Sequence, residues 1–266
     1  MGGSSRGFKN DGEFMSTREK ILNKLRASLA QPNLPFPSPN PSPLTAQTRM
    51  TVTHAEGDMQ ALARRFGTEL ENLFGSYEIV ETVSEARLAL ITHLLKLIAE
   101  EESQRRGVQQ PTGQERTILS WTPDKLPIAY LPEAFADVDL ELISPDQVRT
   151  TEERDAVRSI RYGLTGVEAA FASTGSMLMA TAPQTSRSAS LLPLHHIALI
   201  PFNRLYATPE AWVHIQRQSG MLVDAMRHYA NLSLITGPSK SADIESNLTL
   251  GVHGPKFVHA ILFEDF

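Results

Sequence analysis

Polar and apolar positions follow one another along this chain in blocks whose period changes repeatedly. Between Asp58 and Phe74, Met59, Leu62, Phe66, Leu70 and Leu73 recur at helical spacing, and Gly75 follows. That pattern predicts an amphipathic helix stopped by a glycine. Glu78–Glu81 reads as a short strand. Thr82 and Glu85 have the spacing of a capping box and open a second helix that runs to about Arg106. After a polar loop over 107–113, three apolar runs, Arg116–Trp121, Ile128–Leu131 and Val138–Ile143, each predict a strand. Thr151–Leu164 predicts a helix. Ala169–Ala182 predicts two short strands joined at Ser173, Thr174, Gly175 and Ser176. His196–Pro201 reads as a buried strand. Pro209–Ala230 predicts a helix with proline in its first turn, and Leu232–Thr236 and Val258–Phe263 are the last strands. Strands separated by helices of these lengths predict an α/β fold with a mostly parallel sheet and flanking helices.

The N-terminal stretch has a different texture. Its first fourteen residues, MGGSSRGFKNDGEF, have no apolar core and read as a leader, with Met15 as the natural start. Ser16–Ala30 predicts a short helix, with Ser16 and Glu19 at capping-box spacing and Ile21, Leu22, Leu25 and Leu29 on one stripe. It lacks an aromatic anchor, so packing against protein is preferred to a membrane surface. Six prolines between Gln31 and Pro43 block helix and ladder alike and predict an extended linker. The expected organisation is a leader over 1–14, a helix and proline-rich linker over 15–45, and an α/β domain over 46–266.

Composition narrows the function classes. The 266 residues carry a net charge of -5, which argues against nucleic acid as a partner. There is no cysteine, so thiolate-held iron–sulfur clusters, Cys-based zinc sites, disulfides and cysteine nucleophiles are excluded in this chain. No apolar run approaches the ~20 residues of a membrane span. A cytoplasmic location suits both facts.

The candidate chemistry sits in polar turns. Leu234–Pro255 reads LITGPSKSADIESNLTLGVHGP. The strand through Thr236, the turn at Gly237-Pro238 and N-capping residues Ser239, Ser241 and Asp243 predict a helix N-terminus with outward N–H groups. Lys240 adds positive charge, and an ordinary capped connection is the alternative. Thr174, Gly175 and Ser176 offer hydroxyls and a permissive glycine, as a plain hairpin turn also would. Arg187 can hold a carboxylate or phosphate through two parallel hydrogen bonds. These residues are expected to converge on one carboxyl-edge cleft, with His253 on its wall. His253 is the first titratable candidate and Glu168, among small and apolar neighbours, the second. His195 and His196 read as structural imidazoles rather than metal ligands. Neither GxGxxG nor GxxxxGK[ST] occurs.

Three segments together, GLTGVEAAFASTGS, Arg187 with SLLPLHHIALIP, and TGPSKSADIESNLTLGVHGP, resemble the LUD-domain family, within it the lactate-utilisation protein C group. The resemblance implies a Rossmann-like fold similar to the NagB/RpiA/CoA-transferase-like superfamily. It implies a role as the non-cluster subunit of a complex converting L-lactate to pyruvate. Iron–sulfur clusters would then reside in Cys-rich partner subunits and no cofactor in this chain, with a small anionic metabolite as ligand of the polar turns. A stand-alone CoA-transferase-like enzyme acting on a phosphorylated or acyl substrate, and a scaffold with a vestigial pocket, are the competing readings.

Overall fold

The structure is a computed structural model that describes residues 16–30, 55–105, 114–145, 150–242 and 248–265. The leader, the proline run and Asp243 lie outside the described residues. By internal contacts the chain divides into residues 1–46 and 47–266. The first unit contributes helix α1 (Thr17–Leu29), closed by the predicted capping box: Glu19 N donates to Ser16 Oγ, and Ser16 N donates to the Glu19 carboxylate.

In the second unit, α2 (Met59–Asn72) begins where the Asp58 carboxylate accepts from Ala61 N at 2.7 Å. Its buried stripe is Leu62, Phe66 and Leu70. Strand β1 (Ser76–Val80) follows, then α3 (Val83–Arg105). The capping box expected for α3 is present: Glu85 N donates to Thr82 Oγ1, and Thr82 N donates to the Glu85 carboxylate. Ala86, Leu90, Leu94 and Ile98 recur every four residues and are all buried, which fixes the face that α3 lays on the sheet.

The remaining strands of the main sheet are β2 (Thr117–Ser120), β3 (Glu141–Ile143), β4 (Tyr162–Thr165), β7 (His195–Pro201) and β12 (Phe257–Phe263). Their order is β1-β12-β7-β4-β2-β3, and every pairing is parallel. Strands β2, β4 and β7 are buried at every position, as expected of strands covered on both faces. Helix α4 (Leu131–Ala136) leads into β3, α5 (Thr151–Arg158) into β4, and the single-turn helix α6 (Ser188–Leu191) into β7. A Cβ at Gly163 would stand 2.0 Å from the Ala189 carbonyl oxygen, so glycine is what lets α6 lie on β4.

A second sheet, β8-β5-β6-β9, contains β5 (Ala169–Phe171), β6 (Ser176–Thr181), β8 (Leu205–Tyr206) and β9 (Asn231–Ile235). Phe171, Leu178 and Trp212 form its small core, Trp212 coming from α7 (Pro209–Gln218). A separate antiparallel pair joins β10 (Lys240–Ala242) to β11 (Leu248–Leu250). No helix of the described residues is long and apolar enough to cross a membrane.

Five expected elements are corrected. Ile128–Leu131 is not a strand. Tyr130 adopts a left-handed backbone (φ 60°), and Pro132 sits at the start of α4. Of Val138–Ile143 only the last three residues pair. The helix over Thr151–Leu164 stops at Arg158, and Tyr162–Thr165 join the sheet as β4. Pro209–Ala230 is two helices, α7 and α8 (Met221–His228), divided at Gly220. Lys240–Ala242 form a strand where a helix entrance was expected, so that corner lacks the aligned N–H groups of a helix terminus.

Candidate functional site

The turn between β5 and β6 and the turn after β9 meet. Ser176 Oγ and Thr236 Oγ1 lie 2.8 Å apart. Gly175 has φ +62°, and a Cβ on it would stand 2.7 Å from Leu70 N in α2. Gly237 has φ +75°, and its Cβ would stand 2.9 Å from Leu73 Cβ. Both turns are therefore pressed onto the last turns of α2. Thr174 presents a buried Oγ1 with no hydrogen-bond partner among the described residues. Ser239 is held by its backbone: its N–H donates to the Pro255 carbonyl and its carbonyl accepts from Gly251 N, both at 2.9 Å. Its Oγ accepts from His253 N at 3.3 Å. Lys240 Nζ stands 4.8 Å over the ring of Phe74, an exposed cation–π pair.

Thr174, Gly175, Ser176, Gly237, Ser239, Lys240 and His253 thus belong to one corner. It lies at the amino edge of the main sheet, because Pro255 and Phe74 each stand two residues before the starts of β12 and β1. The expected carboxyl-edge placement is corrected accordingly.

Two expected members stand elsewhere. Arg187 follows the far end of β6 from Ser176; its guanidinium is exposed and has no partner among the described residues. Glu168 precedes β5, where its carboxylate meets Arg204 Nη1 at 3.4 Å and accepts from Tyr229 Oη at 3.1 Å. That contact and burial raise the Tyr229 pKa, with burial the larger cause.

A cleft of about 540 Å³ opens beside this corner, also at the amino edge. His93, Glu100 and Glu101 reach it from α3, Arg161 from the position directly before β4, His195 from β7, and Lys256, Phe257 and His259 from β12 and its approach. Strand alternation puts His195, Phe257 and His259 on one face. The rings of His93 and His259 stack with centroids 3.9 Å apart, and those of His195 and Phe257 at 4.6 Å. Glu101 accepts from Arg161 Nε at 2.6 Å and sits 3.2 Å from His195 Nε2. Ser76 Oγ lies 2.8 Å from His259 Nδ1, while His259 Nε2 is buried without a partner among the described residues. Burial holds His93 at about 4 and His259 at about 3, with neighbouring imidazoles adding to both effects. Burial also depresses His195, opposed by Glu101. Among the described residues no group of three or more His, Cys, Asp or Glu side chains is placed to hold a metal.

His196 faces the other way. It is fully buried, its Nε2 lies 2.9 Å from Thr165 Oγ1, and burial lowers its pKa to about 4. The structural role expected of it fits. The cleft around His195 was not expected: His93, Arg161, Lys256 and His259 are scattered over more than 160 positions of sequence, and only the period-two alternation at the start of β12 hints at their shared face.

The LUD domain family matches residues 74–263. The chain belongs to that family. The match takes in the main sheet, the second sheet and both turns of the corner. The chain is 28% identical to lactate utilization protein C of Exiguobacterium sp. over 243 residues, covering 81% of this chain and 98% of that protein. It is 33% identical to lactate utilization protein C of Shouchella clausii over 169 residues, 59% of this chain and 72% of that one. A DUF162 family protein from Deinococcus radiodurans, solved by crystallography, shares the fold at a TM-score of 0.50 and 17% identity, over 78% of this chain and 99% of that one. The α/β fold with its six-stranded parallel sheet is therefore that of the family.

Proposed function

We propose that this protein serves lactate utilisation, as the cluster-free subunit of an assembly that oxidises L-lactate to pyruvate. The observation that carries this reading is the alignment with lactate utilization protein C over nearly the whole length of that relative. The residue chemistry agrees. A chain without cysteine has no thiolates to hold an iron–sulfur cluster, so electrons from lactate would pass through cysteine-bearing partner subunits. The corner at Thr174, Ser176, Ser239 and Lys240 supplies hydroxyls, one buried hydroxyl lacking a partner and one exposed cation. We read it as the contact for a small anionic metabolite, with His253 at its rim. The assembly would work in the cytoplasm.

The test is an anaerobic pull-down of the tagged chain from its native host, followed by metal analysis and identification of the captured proteins. Co-purification of iron- and sulfide-containing, cysteine-rich subunits is expected. Recovery of the chain without them, together with turnover of an acyl or phosphorylated substrate by the chain alone, would favour a stand-alone enzyme on the same scaffold.

A further inference from the structure

We propose that the amino-edge cleft is a second ligand site, one that takes a small organic acid. Its carboxylate sits between Arg161 and Lys256, and its hydroxyl or oxo group reaches the imidazole layer of His93, His195 and His259. The site is distinct from the corner at Lys240, although the two are neighbours.

The cleft has the size of metabolite sites, which run from ~300 to ~1,000 Å³. The two cations enter from either side of β7. His195 N donates to the Arg161 carbonyl and Lys256 N donates to the Leu194 carbonyl, both at 2.9 Å. Arg161 spends its Nε on Glu101, and its terminal nitrogens have no partner among the described residues. Lys256 is exposed, its Nζ lies 5.3 Å over the Phe257 ring, and no carboxylate pairs with it among the described residues.

Charge selects the ligand. Glu101 is matched by Arg161, and Glu100 by Lys96 at 4.0 Å on the same helix. The histidines are held neutral by burial. Among the described residues Lys256 remains as a single positive charge, which a monoanion balances and a phosphate dianion overshoots. The floor of the cleft also asks for a polar group. His259 Nε2 is buried with no hydrogen bond among the described residues, an unusual and costly state for an imidazole nitrogen. A ligand hydroxyl or oxo oxygen would satisfy it.

An anion beside His93, His195 and His259 raises their proton affinity. Lys96, Arg161 and Lys256 oppose that effect, and Glu100 and Glu101 assist it. By linkage, binding tightens as the pH falls toward the depressed values of His93 and His259, near 4 and 3, and changes little close to neutrality.

The experiment is a titration of the full-length chain, labelled with 15N-histidine, with pyruvate, L-lactate and inorganic phosphate in separate arms. It is read at imidazole resonances assigned by substitution. Pyruvate or L-lactate is expected to move the signals of His93, His195 and His259, with a Kd on the order of 1 mM for so few atoms. Lys256→Gln, an exposed change compatible with folding, is expected to weaken binding by roughly tenfold. Arg161→Lys keeps the charge and the Glu101 pair but not the fork, and weakens it as well. Unmoved imidazole signals at saturating acid, an unchanged Kd in folded Lys256→Gln, or a phosphate response stronger than both acids would overturn the assignment. The readout does not involve lactate oxidation. A chain that supports oxidation while these signals stay still defeats the cleft alone, and the reverse result defeats only the functional reading.

Discussion

Ser176 and Thr236 stand 2.8 Å apart through their hydroxyls, and only one of them is buried. Ser176 is 2% exposed, whereas Thr236 faces solvent. Removing either partner breaks the same bond with different consequences. Thr236→Val leaves a buried hydroxyl unpaired and is expected to destabilise the fold by about 1–3 kcal/mol. Ser176→Ala leaves only an exposed hydroxyl that water can satisfy, and is expected to cost under ~1 kcal/mol. Urea denaturation of both variants and the double variant checks this. Equal losses would mean that the pair is not organised as described.

Gly175 and Gly220 both have positive φ, at +62° and +71°, in different surroundings. A Cβ at Gly220 would meet nothing within 4 Å, so Gly220→Ala is expected to cost only the left-handed penalty of about 1 kcal/mol. At Gly175 the Cβ would also strike Leu70 N and Glu69 C. Gly175→Ala is expected to cost at least about 2 kcal/mol and to loosen the contact of the corner with α2. Thermal denaturation of the two variants reads the difference.

The buried imidazole of His196 makes stability depend on pH. Its pKa falls from an ordinary 6.5 to about 4 on folding, because burial disfavours the cation. The unfolded chain therefore binds the proton more tightly. The stabilisation is complete above about pH 6.5 and is lost as the pH drops from there toward 4. His196→Gln removes the titrating group and is expected to flatten this part of the stability profile, by up to about 3 kcal/mol at the acid end. Denaturant midpoints of both proteins measured between about pH 7 and 5 test it, and parallel profiles would contradict it.

Lys240 and Arg187 are expected to behave differently toward ligands, because only Lys240 belongs to the corner. Pyruvate titration followed at the exposed His253 resonance should weaken several-fold in Lys240→Gln, the range of one exposed charge contact. Arg187→Lys should leave that titration unchanged. Loss of the His253 response in Arg187→Lys would place Arg187 at the corner after all.

Much of the fold was legible because local pattern and global packing agree. The α2 stripe, the Thr82–Glu85 box and the largely apolar runs of β7 and β12 carry their own periods and caps. The misreadings fall where long-range partners decide. Ile128–Leu131 is apolar like a strand, but only Ile128 and Leu131 are buried, and four residues hold too little period to separate strand from turn. Val157, Ile160 and Leu164 keep the helical spacing of α5, yet β2 and β7 recruit the chain from Tyr162 onward into the sheet. The hydroxyls around Ser239 suit an N-cap, but pairing with Leu248–Leu250 overrides that preference, and such pairing leaves no local trace. For the same reason the glycine-bearing turns of the corner could be read residue by residue. The cleft could not, because strand order brings together His93, Arg161, His195 and His259.

As the cluster-free subunit proposed above, this chain is expected to be required for lactate oxidation without performing the redox step by itself. The most direct measurement is L-lactate-dependent dye reduction, made with the purified chain, with extract of a host lacking it, and with the two combined. No reduction by the chain alone, little by the deficient extract, and recovery on mixing are expected. Robust reduction by the chain alone, or full activity in the extract without it, would rule out a cluster-free subunit.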